Sequence, residues 1–224
     1  MTPAADTRGR LRAATAQIHE RLHGHPGLGA AASGAMSRAD YRLLLGRLWG
    51  FHTAFEEVLE AAARRLALDI DMAARARAPM LEADLRVLGL GADDIARLPR
   101  CAQIFQPRDE AGFMGALYVV EGSTLGGIQI ARALAGLFDG AEGEGRRFFL
   151  GYGANHSAMW RGFLARLEAC AKDEAGETAA IEGAVQTFAD FERWMDDWRH
   201  EALEPGRAEK APQPGTRASE QPVA

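Results

Sequence analysis

His19 is the residue of this 224-residue chain whose type and setting most invite chemistry. It lies in the run Leu11-Arg12-Ala13-Ala14-Thr15-Ala16-Gln17-Ile18-His19, which reads as helix. On a helix of 3.6 residues per turn, Arg12, Thr15, Ala16 and His23 share its face. The seven residues from Arg12 to His19 span about 10 Å along the axis. That spacing suits an imidazole ligating a central iron while the guanidinium pairs with a carboxylate at the edge of the same planar ligand. An isolated helical histidine or arginine is more often solvated or structurally satisfied, so this pair needs a complementary surface elsewhere in the chain.

The candidate surface is the run from Gly115 to Ala131. It is apolar enough to be buried and carries glycines at 115, 122, 126 and 127. Each glycine inside a helix costs about 1 kcal/mol relative to alanine. Gly115, Gly122 and Gly126 fall on one helical face, with Tyr118 and Gln129 beside them. A buried face that gives up its side chains admits either another helix backbone or a flat ligand. Ser123 reads as a hydrogen-bond donor or packing residue, since no partner base for a nucleophile stands near it in sequence.

The elements that must position these residues are helical. Alanine, leucine, arginine and glutamate dominate, β-branched runs are short, and the expected fold is all-α, a single domain over 1–203. Helices are expected over 6–23, 37–66, 69–89, 109–138, 155–172 and 177–203, with a loop over 27–36 and a short turn over 93–98. The apolar stripe of the second helix is Tyr41, Leu44, Leu45, Leu48, Phe51, Phe55, Val58 and Leu59. Pro, Gly, charge and small residues prevail from Glu204 on, so 204–224 is expected to be a disordered tail.

Composition excludes several classes. The net charge of −5 argues against a dedicated nucleic-acid binder. No run of eighteen apolar residues suggests a membrane span, and the polar N-terminus lacks the apolar core of an export signal. Two cysteines without CxxC spacing suit a reduced, cytoplasmic setting. There is no Gly-x-Ser-x-Gly elbow and no phosphate-cradling loop. Glu20-Arg21-Leu22-His23 matches the Glu-x-x-His spacing of di-iron bundles, but Asp197-Trp198-Arg199-His200 is the nearest second copy and carries aspartate.

Three stretches taken together resemble the heme oxygenase family, in its bacterial branch. They are Leu-Arg-Ala-Ala-Thr-x-x-x-His-x-x-Leu at 11–22, Tyr-Val-Val-Glu-Gly-Ser-Thr-Leu-Gly-Gly at 118–127, and Phe-Phe-Leu-Gly-Tyr-Gly at 148–153 followed by Trp160-Arg161-Gly162-Phe163. Their order and spacing agree with the family from about residue 8 to 200. The chain most resembles the members found with bacterial phytochromes, which supply biliverdin as chromophore.

The resemblance implies a multi-helix bundle with heme sandwiched between a proximal N-terminal helix and a kinked distal helix. It implies that His19 ligates the heme iron, that Gly122, Ser123 and Gly126 form the catalytic distal face, and that Gly127 helps the distal backbone approach the macrocycle. Arg12, Tyr118 and Arg161 take positions at the propionate edge. The activity implied is oxidative opening of heme to biliverdin with release of CO and ferrous iron. It uses O2 and electrons from an external donor such as a ferredoxin or flavin reductase, with a bacterial phytochrome as candidate downstream partner. Alternatives are a heme carrier without turnover, a non-heme di-iron oxidase on the same scaffold, and a thiaminase-like enzyme, which would need a catalytic cysteine. Two departures stand out. Many members carry a carboxylate four residues after the proximal histidine, where this chain has His23. Mammalian-type members carry a distal aspartate, whereas Ser123 is the nearest polar side chain to the glycine face here.

Overall fold

Four of the main helices begin where an aspartate or serine can satisfy a free backbone N–H, which is the commonest way a sequence marks a helix start. In the computed structural model, which describes residues 6–140 and 143–199, Asp6 accepts from Gly9 N at 2.7 Å, Asp109 from Gly112 N at 2.8 Å and Asp173 from Gly176 N at 2.8 Å. Ser37 accepts from Asp40 N at 3.0 Å. The helices that follow are α1 (Thr7–His23), α3 (Arg38–Arg65), α6 (Glu110–Ala133) and α9 (Glu174–Met195). Shorter helices complete the described chain: α2 (Pro26–Ser33), α4 (Ala78–Val87), α5 (Ala92–Ala96), α7 (Arg147–Leu150) and α8 (His156–Cys170). No strand occurs among the described residues. None of the described helices is long and apolar enough to cross a membrane.

Several expectations are corrected. Residues 27–36 are not a loop throughout, because 26–33 form α2. Pro26 sits in its first turn, where a missing N–H costs nothing, and His25 caps it through Leu28 N at 3.3 Å. Gly27 is needed there for contact, since a Cβ would lie 2.8 Å from the Trp198 ring. The helix expected over 69–89 begins only at Ala78, after a 3-10 turn at Ala73–Arg75, so that Pro79 lies in the first turn. The central helix gives way to a 3-10 turn at Leu134–Leu137, and α9 starts at Glu174, earlier than expected. His200, the end of the last helix at Leu203 and the tail at 204–224 lie outside the described residues.

The core has two lobes, both built on α3. Leu11, Ile18, Phe55, Leu117, Phe163 and Phe188 fill one, joining α1, α3, α6, α8 and α9. Tyr41, Leu45, Leu81, Leu85, Leu134 and Phe149 fill the other. The tightest helix pair is α6 on α9. A Cβ at Gly115 would lie 1.9 Å from the Ala180 carbonyl oxygen, and one at Gly183 would lie 2.3 Å from that of Gly112. These glycines let two backbones meet with no side chain between them. In contrast α1 packs on α9 and α8, which also carry α6, while α1 and α6 scarcely touch each other.

Two carboxylates, one half-buried and one buried, join separate elements by capping. Glu56 of α3 accepts from Arg77 N at 2.6 Å and Ala78 N at 3.0 Å, at the start of α4. Asp84 of α4 accepts from Arg147 N at 3.0 Å and Phe148 N at 2.9 Å, at the start of α7. Burial pushes the Asp84 carboxyl up to about 6, against the pull of those two donors.

Two outcomes are expected. Gly115→Ala should destabilise the chain by about 2–4 kcal/mol in urea unfolding, because neither backbone can yield to a Cβ without separating the helices. For Asp84, the folded state holds the proton more tightly than the unfolded one. Its contribution to stability is therefore greatest below the unfolded value of about 4, falls as pH rises to about 6, and is constant above. Unfolding curves across that range should show this decline in the wild type and lack it in Asp84→Asn.

Candidate heme site

The glycines of α6 divide into two sets. Gly115 is used for the α9 contact, and a Cβ at Gly127 would lie 2.3 Å from the Phe149 carbonyl oxygen, so Gly127 serves the contact with α7 rather than an open face. A Cβ at Gly122 or Gly126 would meet nothing within 4 Å. Helix α9 thus covers the glycine face at one end of α6 and leaves it open one and two turns beyond Tyr118. The helical run passes through Gly122–Gly127 without interruption.

Basic residues of α1 approach α6 at Tyr118. Arg12 acts electrostatically on both His19 and Tyr118, which brings residues of the two helices into one neighbourhood. Tyr118 is half-buried, with ring centroids 6.2 Å from Trp160 and 6.5 Å from Phe163. Burial raises its phenol pKa, while Arg8 and Arg12 oppose the rise. Arg8 also lies over the Trp160 ring at 5.9 Å. It joins this basic rim without having been singled out in the sequence, since an arginine near a helix start carries no distinguishing signal. Arg161 is exposed on α8 beside Trp160, and no hydrogen bond or ion pair brings it to the other rim residues.

The His19 ring is exposed on α1, with the His23 ring 4.5 Å away and the Phe188 ring edge-on at 6.3 Å. Partial burial lowers its pKa. His23 and Arg12 act in the same direction and Glu20 opposes them. The imidazole is therefore neutral at neutral pH and offers a lone pair to a metal. Ser123 is exposed, and its hydroxyl donates to Val120 O at 2.8 Å. It can only accept from anything placed at the glycine face.

Behind that face is a polar cluster that sequence reasoning missed. Glu121 is 1% exposed and accepts from Tyr152 Oη at 2.7 Å and from Arg75 Nη1. Arg77, also 1% exposed, lies over the Tyr152 ring at 3.9 Å. Burial pushes the Tyr152 phenol up to about 12, although Arg77 pulls it down. Thr124 Oγ1 lies 3.3 Å from His156 Nε2. His52, buried on α3, is pushed down to about 3 by burial and then by Arg77, and so is neutral. Glu121 Oε2 and Arg77 Nε and Nη2 form no hydrogen bond among the described residues. The signal that could have found the cluster is Glu121 itself, a carboxylate inside an otherwise apolar run, where a charge is retained only if paired.

The family model for heme oxygenase matches residues 5–197. The chain belongs to the heme oxygenase family. A heme oxygenase of Xanthomonas campestris pv. campestris is 41% identical over 117 residues, which are 52% of this chain and 66% of that relative. Solved structures with the same fold include heme oxygenase from Neisseria meningitidis in its NO- and CO-bound forms. Its TM-score is 0.65 at 23% identity, covering 87% of this chain and 92% of that one. Heme oxygenase-1 from the cyanobacterium Synechocystis, in complex with heme, has a TM-score of 0.61 at 17% identity, covering 89% and 95%. A domain of unknown function with a heme oxygenase-like fold, from Shewanella denitrificans, scores 0.67 at 12% identity, covering 87% and 92%. Fold likeness at this distance is shared with a protein of no assigned activity, so activity has to be argued from the site.

Alternatives lose ground at this point. Among the described residues no three candidate ligands gather for a metal, as a di-iron centre would need. Cys101 sits in a connector, its thiol on Gln103 O at 3.2 Å, and Cys170 ends α8.

Glu121→Ala should cost about 3–5 kcal/mol in thermal or urea unfolding, because it leaves Arg75 and Arg77 facing a buried void without a counter-charge. Tyr152→Phe, which keeps the charges, should cost about 1 kcal/mol.

Proposed function

We propose that this chain is a heme oxygenase in activity, opening heme to biliverdin with release of CO and ferrous iron. The observation that carries this reading is the open glycine face at Gly122 and Gly126, on a helix that the histidine-bearing α1 scarcely touches. A flat ligand fits such a gap, whereas a helix contact fills it, as it does at Gly115 and Gly127.

Heme, when bound, supplies the iron that activates O2 and is itself the substrate opened. The residues of the chain supply geometry and electrostatics. The neutral imidazole of His19 would hold the iron, as a weaker electron donor than a thiolate would be. Arg12 and Tyr118, with Arg161 on the adjoining helix, hold the carboxylate edge and so fix the in-plane orientation. Gly122 and Gly126 admit the macrocycle to the α6 backbone and exclude bulk water from it. Because the Ser123 hydroxyl is committed to Val120 O and the helical N–H groups to carbonyls, protons at this face would come from water. Glu121 and Tyr152 hold that stretch of α6 against the 151–156 segment. Electrons come from an external donor such as a ferredoxin or flavin reductase, in a cytoplasmic setting. The resemblance to phytochrome-associated members makes a bacterial phytochrome the expected acceptor of the biliverdin.

The test is to add ascorbate, or a ferredoxin and its reductase, to the heme complex of the full chain. Loss of the Soret band with growth of biliverdin absorption is expected, and persistence of the Soret band would make the protein a heme carrier. His19→Ala should lose the axial-imidazole spectrum. Gly126→Leu should unfold at least as late as wild type, since leucine is the better helix former and its side chain meets open space, yet bind heme at least about tenfold more weakly.

A further inference from the structure

Residues 19–23 read His-Glu-Arg-Leu-His, the H-E-x-x-H pattern that on a helix sets two imidazoles on one face for a zinc ion. The geometry here agrees with the pattern. The two rings have centroids 4.5 Å apart with planes tilted by 56°, and both side chains are exposed. Neither ring forms a hydrogen bond among the described residues, so the lone-pair nitrogen of each ring is available to an ion approaching from solvent. Zinc takes imidazole nitrogen at about 2.0–2.1 Å, and two histidines one helical turn apart are the spacing at which a helix offers such a pair. Glu20, between them in sequence, acts electrostatically on His19. His25 is not part of the set. Its Nδ1 accepts from Leu28 N at 3.3 Å and its Nε2 lies 3.0 Å from Met195 O.

We propose that His19 and His23 form a two-histidine chelate for a divalent transition ion of the zinc, copper or nickel class, and that this ion excludes heme from His19. The ion class follows from the ligands, since imidazole pairs suit borderline ions and not the hard cations that take oxygen. Two protein ligands leave the remaining positions to water. Proteolytic chemistry is not part of the proposal, because a third protein ligand is not offered among the described residues. Exclusion of heme follows from the one lone pair that the neutral His19 imidazole offers, its other nitrogen carrying the proton, and this half rests on the reading of His19 as heme ligand. The replacement of the family's usual carboxylate by His23 is then what makes heme loading sensitive to divalent ions.

The experiment uses the metal-free, heme-free full chain. Zinc chloride is titrated calorimetrically, and heme is titrated at the Soret band with and without zinc. One zinc per chain is expected in the wild type. Affinity should be at least about tenfold lower in both His23→Ala and His19→Ala, since ligand loss costs no less than loss of an outer-shell partner. Zinc should weaken heme binding several-fold in the wild type and leave it unchanged in His23→Ala. Undiminished zinc affinity in His23→Ala overturns the site. Zinc bound through the pair with heme titrating as before overturns the exclusion. Heme binding that survives His19→Ala unaltered, in the absence of zinc, overturns the heme-ligand reading and the exclusion together, while the calorimetry still decides the zinc chelate.

Discussion

The fold turns on a contact between two backbones. Gly112 and Gly115 of α6 meet Ala180 and Gly183 of α9 with no side chain between them, at separations that no Cβ would permit. That contact sets how closely the central helix lies on the last one. Helix α1 then rests on α9 and α8 rather than on α6. The openness at Gly122 and Gly126 accompanies that arrangement, since α9 covers the glycine face of α6 only toward Gly115. Glycine therefore plays opposite parts along one helix, closing a seam at one end and leaving a face bare further on.

The interior is held by charge as well as by apolar packing. Glu56 and Asp84 each cap the start of another element, so α3 fixes α4 and α4 fixes α7 through pairs of backbone hydrogen bonds. Arg75, Arg77, Glu121 and Tyr152 add a cluster of two cations, one carboxylate and a neutral phenol that ties the 151–156 segment to α6 immediately before Gly122. Burying these groups is costly singly and tolerable only as a set. The distal side is thus braced from behind by polar contacts, while its front carries almost no polar side chain.

The proximal side is less enclosed. His19 and His23 are exposed neighbours on one helix face, and the basic residues Arg8 and Arg12 lie toward Tyr118. A face assembled from one helix needs few long-range contacts to form. It is correspondingly open to any ligand that imidazole and guanidinium groups attract, whether a planar dianion or a metal ion.

Much of this was legible in the residues. The apolar periodicity of α3, the caps at Asp6, Ser37, Asp109 and Asp173, and the placement of His19 and Arg12 on one face of α1 follow from local rules, because helix geometry fixes neighbours three, four and seven residues apart. The all-α class follows as well. What local rules could not supply was the division of the glycines, since Gly115 and Gly122 share one face of an ideal helix and differ only in what crosses them. Nor could they place Glu121 beside Arg75 and Tyr152, or Asp84 beneath α7, for these partners are separated by 31 to 64 residues. The α2 helix was hidden for a related reason. Its glycine-rich sequence favours a loop, and the Trp198 ring against Gly27 favours the helix. Periodicity reports which residues share a face, and the identity of the neighbour on that face is settled only when distant segments pack.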